Sequence, residues 1–171
     1  MELKGVITMA DEKVNVKSLV SHRVVLTVPD MRLKRVWEKK GTVRVIPFEQ
    51  LQEALYSPGV EALFTEGVLG IEDMKMKQRL GLEPEDATEP VNIIALDDAQ
   101  MKRYLTVLPV HEFRDKIKEL PTEQVNELIR YAIENEIANF EKAEILKGMT
   151  GIDIISAIKL NRDDLAAQKE E

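Results

Sequence analysis

Residues 31–46 read MRLKRVWEKKGTVRVI. Two short runs of alternating, β-branched and aromatic residues flank Glu38-Lys39-Lys40-Gly41, and glycine is the residue that takes a positive φ without penalty. The pattern predicts a β-hairpin with a four-residue connection. Its charge is one-sided: Arg32, Lys34, Arg35, Lys39, Lys40 and Arg44 face the single acid Glu38. Such a ribbon has three uses. Its long side chains shield an edge strand from unwanted pairing, or they meet an acidic protein neighbour, or they meet a phosphate backbone. These six cations are the candidate partner-binding residues. Trp37, the one tryptophan, alternates onto the Leu33/Arg35 face and reads as a core anchor or a base under an arginine.

On the N-terminal side, residues 1–21 alternate weakly and predict an extended arm or edge strand. Residues 23–28 make a better strand, stopped by the turn-forming pair Pro29-Asp30. Beyond Pro47 the apolar period changes from two to about 3.6, with Phe48, Leu51, Ala54 and Leu55 on one helical face. Ser57-Pro58 predicts a second helix start, with Ser57 as N-cap and Pro58 at the first helical position. Gly67 is placed to close that helix, residues 68–71 form a short strand, and Asp73 caps a helix over 74–80. Residues 82–90 hold two prolines and four acids, which predicts an exposed acidic linker. Residues 91–96 predict one more strand. Helices follow over about 98–107, 110–119, 122–139, 141–147 and 152–160, and the polar end from Asn161 is expected to fray. Val125, Leu128, Ile129, Ala132, Ile133 and Ile137 form an apolar stripe on the longest of them. Gly148 and Gly151 flank Met149-Thr150, and Thr150 and Asp153 have capping-box spacing, with Asp in the usual Glu place.

The expected fold is therefore α+β: a β-rich domain over 1–81 with a small antiparallel sheet and short helices, the linker 82–90, and a mainly helical domain over 91–171. The chain has 171 residues, 44% of them apolar and 32% charged, enough for a core of Leu, Ile, Val, Met and Ala. No run reaches the roughly 18 apolar residues of a membrane helix, and no signal peptide is evident. The absence of cysteine excludes disulfides and thiolate metal sites. Charge is segregated along the chain: residues 1–48 carry ten Lys/Arg against five Asp/Glu, whereas the remainder is acidic and the net charge is −7. That balance argues against a dedicated nucleic-acid binder and favours contact between oppositely charged protein surfaces.

Catalytic chemistry is scarce. His111, Glu112 and Asp115 have the flavour of a metal-binding helix, but a second nearby histidine and a third ligand are missing. The acid pairs Glu72-Asp73, Asp97-Asp98 and Asp163-Asp164 and the run Glu83 to Asp86 are placed at helix starts or in the linker, where capping accounts for them. No glycine-rich phosphate loop or nucleophile elbow occurs. The residues predict no enzyme, no cofactor and no metal.

Residues 24–73 carry a sequential pattern: a strand ending at Pro29-Asp30, a glycine turn at Gly41, a helix from Phe48 to Leu55, then Pro58-Gly59-Val60-Glu61-Ala62-Leu63 and Gly67-Val68-Leu69. In this order they resemble small structural or accessory proteins of tailed bacteriophage particles. The resemblance implies a non-enzymatic component of a virion's capsid, neck or tail, made in the host cytoplasm, that binds other virion proteins or copies of itself. The alternative is a small regulatory protein that sets the basic residues on DNA.

Overall fold

The computed structural model describes residues 12–169, and the architecture is α+β. In β1 (Lys13–Ser18), buried Val14, Val16 and Ser18 alternate with outward Lys13, Asn15 and Lys17, the period of a half-buried strand. It is followed by β2 (Val24–Val28), β3 (Leu33–Trp37), β4 (Val43–Pro47) and, after two helices, β5 (Leu69–Gly70). These make two antiparallel sheets, ordered β4-β1-β5 and β2-β3.

The hairpin expected over 31–46 is not formed. β3 pairs with β2, Val24 opposite Trp37 through Val28 opposite Leu33, and β4 pairs with β1, Lys13 opposite Pro47 through Lys17 opposite Val43. Residues 38–42 cross from one sheet to the other. Gly41, at φ +88°, donates its N–H to the Ser18 carbonyl, and Ser18 N–H donates to the Thr42 carbonyl, both at 2.9 Å. The glycine does turn the chain, but onto β1. Local turn chemistry specifies a bend; which strand waits beyond it depends on residues far away in sequence. The hairpin that does form is β2-β3, joined by the 3-10 turn Pro29–Met31 and by Arg32 at φ +53°. Residues 13–18 are the central strand of their sheet, where an arm or edge strand was expected; residues 1–11 lie outside the described range.

Trp37, Phe48 and Phe64 anchor the core around this β-rich part, and the Trp37 indole donates to the Val16 carbonyl at 2.9 Å. Three short helices complete it: α1 (Phe48–Ala54), α2 (Pro58–Thr65) and α3 (Met74–Arg79). Pro58 starts α2 as expected, although the Ser57 side chain makes no cap bond. The Asp73 carboxylate accepts from Met76 N–H at 3.2 Å. Gly67, at φ +82°, closes α2 with two backbone bonds, its own N–H to Phe64 and that of Val68 to Leu63. A Cβ there would also lie 2.8 Å from Gln124 Cγ, so the site excludes side chains twice over.

The rest is helical: α4 (Asp98–Thr106), α5 (Val110–Ile117), α6 (Thr122–Glu134), α7 (Phe140–Thr150) and α8 (Ile154–Lys169). α6 ends earlier than its apolar pattern, because Glu136 takes φ +53° and the N–H groups of Glu136 and Ile137 turn back to Ile133 and Ala132. α7 runs through Gly148 and stops at Gly151, φ +79°. Asp153 caps α8 by accepting from Ser156 N–H, while Thr150 accepts from Ile152 N–H, so the two do not form a capping box. α8 continues to Lys169, where fraying was expected. Lys142 is buried on α7; its ammonium donates to the Tyr104 carbonyl in the last turn of α4 at 2.8 Å and lies 5.4 Å from the centre of the Phe113 ring.

The chain divides into two compact units, Met1–Ala95 with Pro121–Gln124, and Leu96–Leu120 with Val125–Glu171. This differs from the expected boundary at 82–90. Leu82 and Glu83 are buried, and the Glu83 carboxylate accepts three successive backbone N–H groups, from Val91, Asn92 and Ile93, at 2.9 to 3.0 Å. The Gln78 amide reaches the carbonyls of Pro84 and Ala87 at 3.0 and 2.7 Å. Residues 82–93 are thus a closed loop belonging to the first unit. No strand forms over 91–96, because the N–H groups a ladder would use at 91–93 go to Glu83.

Candidate partner-binding surface

The six basic residues divide into two kinds. Arg35 Nε donates to the Val45 carbonyl at 3.1 Å, and its guanidinium also reaches the Lys34 carbonyl at 2.9 Å. Arg44 Nε donates to the Val36 carbonyl at 2.9 Å. These arginines lie across the facing edges of β3 and β4, each satisfying a carbonyl on the opposite strand. They do with side chains what a hairpin would have done with backbone, and they block both edges against further pairing. Pro47 adds to this at the end of β4, since it has no N–H to offer.

Arg32, Lys34 and Lys39 are exposed, and Lys40 is half-buried. Arg32 occupies the β2-β3 turn, Lys34 the outward side of β3, and Lys39 and Lys40 the crossing that follows. β3 has five residues, so the turn and the crossing lie about 15 Å apart at a strand's rise per residue. The cations are strung along one strand and its ends. Glu38, the acid of this stretch, pairs with Arg23 at 3.3 Å.

The other candidates of the sequence have structural surroundings. His111, Glu112 and Asp115 are exposed on α5, and among the described residues no group of three possible ligands gathers that could hold a metal ion. Asp73 and Asp97 are N-caps, Asp97 in a full capping box with Gln100, and Glu72 pairs with Lys17 at 3.0 Å. Among the described residues, no helix is long and apolar enough to cross a membrane.

Sequence reasoning missed the buried polar groups. Burial pushes the Glu83 carboxyl up, but its three backbone donors and the Lys77 charge outweigh that and hold it below the ordinary carboxylate value. Burial lowers Lys142. Gln124 is buried at the start of α6, donating to the Gly67 carbonyl at 2.8 Å. None of these carries a local signal: an acid just before a proline, a lysine on a helix and a glutamine in a first turn look like surface residues until their distant partners are placed. No family model matches the chain, and neither does any curated protein or solved structure.

Proposed function

We propose that the chain is a non-enzymatic structural or assembly component of a tailed-bacteriophage virion, made in the host cytoplasm and binding other virion proteins or copies of itself through Arg32, Lys34, Lys39 and Lys40. The observation that carries this reading is the division of labour among the six cations. Two of the three arginines, Arg35 and Arg44, whose forked guanidinium groups suit phosphate, are committed to carbonyls on neighbouring strands. What faces outward, in exposed Arg32, Lys34 and Lys39, is a sparse line of charges on a chain of net charge −7. Such a line sets encounter rate and register with an acidic protein surface more than it sets affinity. The phage context rests on the resemblance of residues 24–73. β2 ending at Pro29-Asp30, then α1, α2 and the Gly67 close before β5 follow the order of that group, whereas its hairpin does not form here.

Reversal of Lys39 and Lys40 to Glu tests the reading. Sedimentation of particles or oligomers from the native source should show slowed or reduced incorporation of the double variant, with far-ultraviolet circular dichroism unchanged. The second reading, a DNA-binding regulator, is favoured by the same outward cations and separates by salt. Binding through phosphates falls steeply between about 50 and 200 mM salt. Tight duplex binding by the wild type at physiological salt, abolished in the double variant, would replace the assembly reading with the regulatory one.

A further inference from the structure

The register of β1 leaves a short row of backbone groups that no strand covers among the described residues. In the β4-β1 ladder the bonded positions on β1 are even-numbered: Phe48 N–H donates to the Glu12 carbonyl at 2.8 Å and Ser18 N–H to the Thr42 carbonyl at 2.9 Å. Odd-numbered residues therefore turn their N–H and C=O to the opposite edge. There Leu19 N–H donates to the Val68 carbonyl at 2.9 Å, and Lys17 stands opposite Gly70. The ladder then stops, because β5 has two residues and the chain leaves the sheet to enter α3. Among the described residues, Asn15 and Lys13 have no strand partner on this edge. Beside them opens a cavity of about 320 Å³, walled by Asn15, Lys13 and Lys17 on one side and by Ile71, Glu72, Asp73 and Met76 on the other, the Asp73 carboxylate accepting from Met76 N–H at 3.2 Å. Lys17 is answered by Glu72 at 3.0 Å; Lys13 is exposed and has no ion-pair partner among the described residues.

We propose that this groove binds an extended peptide segment of a partner protein, which continues the sheet along β1 where β5 ends and places an acidic side chain opposite Lys13. An uncovered row of alternating donors and acceptors recognises a polypeptide backbone and little else. The cavity is at the small end of ligand sites, which run from about 300 to 1,000 Å³, so it takes a few residues and not a domain. Ile71 and Met76 supply the apolar wall for one side chain, and Lys13 supplies the charge preference. The site uses none of the six cations of residues 32–44, so it stands whether or not that surface binds a virion protein.

The test is residue-resolved amide exchange on the full chain with a blocked hexapeptide of alternating valine and glutamate. Controls are the same peptide with lysine in place of glutamate, and one interrupted by a central proline. Exchange at Lys13 and Asn15 should slow tenfold or more with the valine-glutamate peptide and with neither control, and Lys13→Glu should transfer the preference to the lysine peptide. No slowing at millimolar peptide would overturn the proposal, as would equal slowing by the proline peptide or an unchanged preference in Lys13→Glu. It would also fall if both amides were already protected in the free chain and released on removal of residues 1–11, since the row would then be filled from within.

Discussion

Glu83 shows how one buried side chain can convert an apparent linker into structure. Two prolines and a run of acids describe a segment with little to bury, yet one carboxylate gathers the N–H groups of Val91, Asn92 and Ile93 and closes the loop. Its folded pKa lies below the ordinary value of 4.5, so folding favours the charged form. The stability this contributes is complete above that value and is lost as pH falls through the lower, folded pKa. Glu83→Gln keeps the shape and removes the charge. It should cost about 1–3 kcal/mol at pH 7, hasten proteolysis within 84–90, and flatten the pH dependence of melting below pH 5. Equal melting temperatures for wild type and variant at pH 7 would show that the loop closes without the carboxylate.

At the scale of elements, the β3–β4 relationship depends on two side chains where a hairpin would have used main chain. Arg35→Met and Arg44→Met keep most of the apolar stems and remove the donors. Each should cost roughly 0.5–1.5 kcal/mol. The double variant should cost less than the sum, because both bonds hold the same pair of edges. A denaturant-unfolding double-mutant cycle measures this, and strict additivity would mean that the two edges are held independently. The longest apolar stripe makes a second case. Val125, Leu128, Ile129 and Ala132 are buried, while Ile133 and Ile137 are only half-buried, near the point where α6 ends. Ile129→Asp puts a charge in packed surroundings and should cost about 3 kcal/mol or more, read as a large fall in melting temperature. The stripe was legible from its period alone. The helix end was not, since Glu136 in a left-handed conformation has no glycine to announce it.

For the whole molecule, the helical unit does not follow the β-rich unit as a simple second half. The first turn of α6 belongs with the first unit, where Glu123 N–H donates to the Glu66 carbonyl at 2.9 Å and Gln124 to Gly67 at 2.8 Å; the remainder of the helix belongs with the second. The backbone of α6 runs on as helix from Gln124 to Val125. Calorimetry should record a single transition whose calorimetric and van 't Hoff enthalpies agree. Two resolved transitions would mean that α6 yields at the 124–125 junction, and Gln124→Ala should then widen their separation.

The sequence by itself determined the α+β class, the positions of most helices, the Asp73 cap, the Pro58 start, the Gly67 stop and the burial of Trp37. Each depends on neighbours within about one turn or one pleat, so its cause is contained in a short stretch of chain. Only the tertiary structure decided that Gly41 turns β4 onto β1, that Arg35 and Arg44 serve strand edges, and that Glu83 closes a loop. It also decided that β1 is central and that, among the described residues, no strand pairs with Asn15 and Lys13 on its outer edge. Strand pairing joins residues distant in sequence, and a turn leaves the choice of partner open; that choice falls to whichever arrangement buries Val14, Val16, Trp37 and Ile46 together.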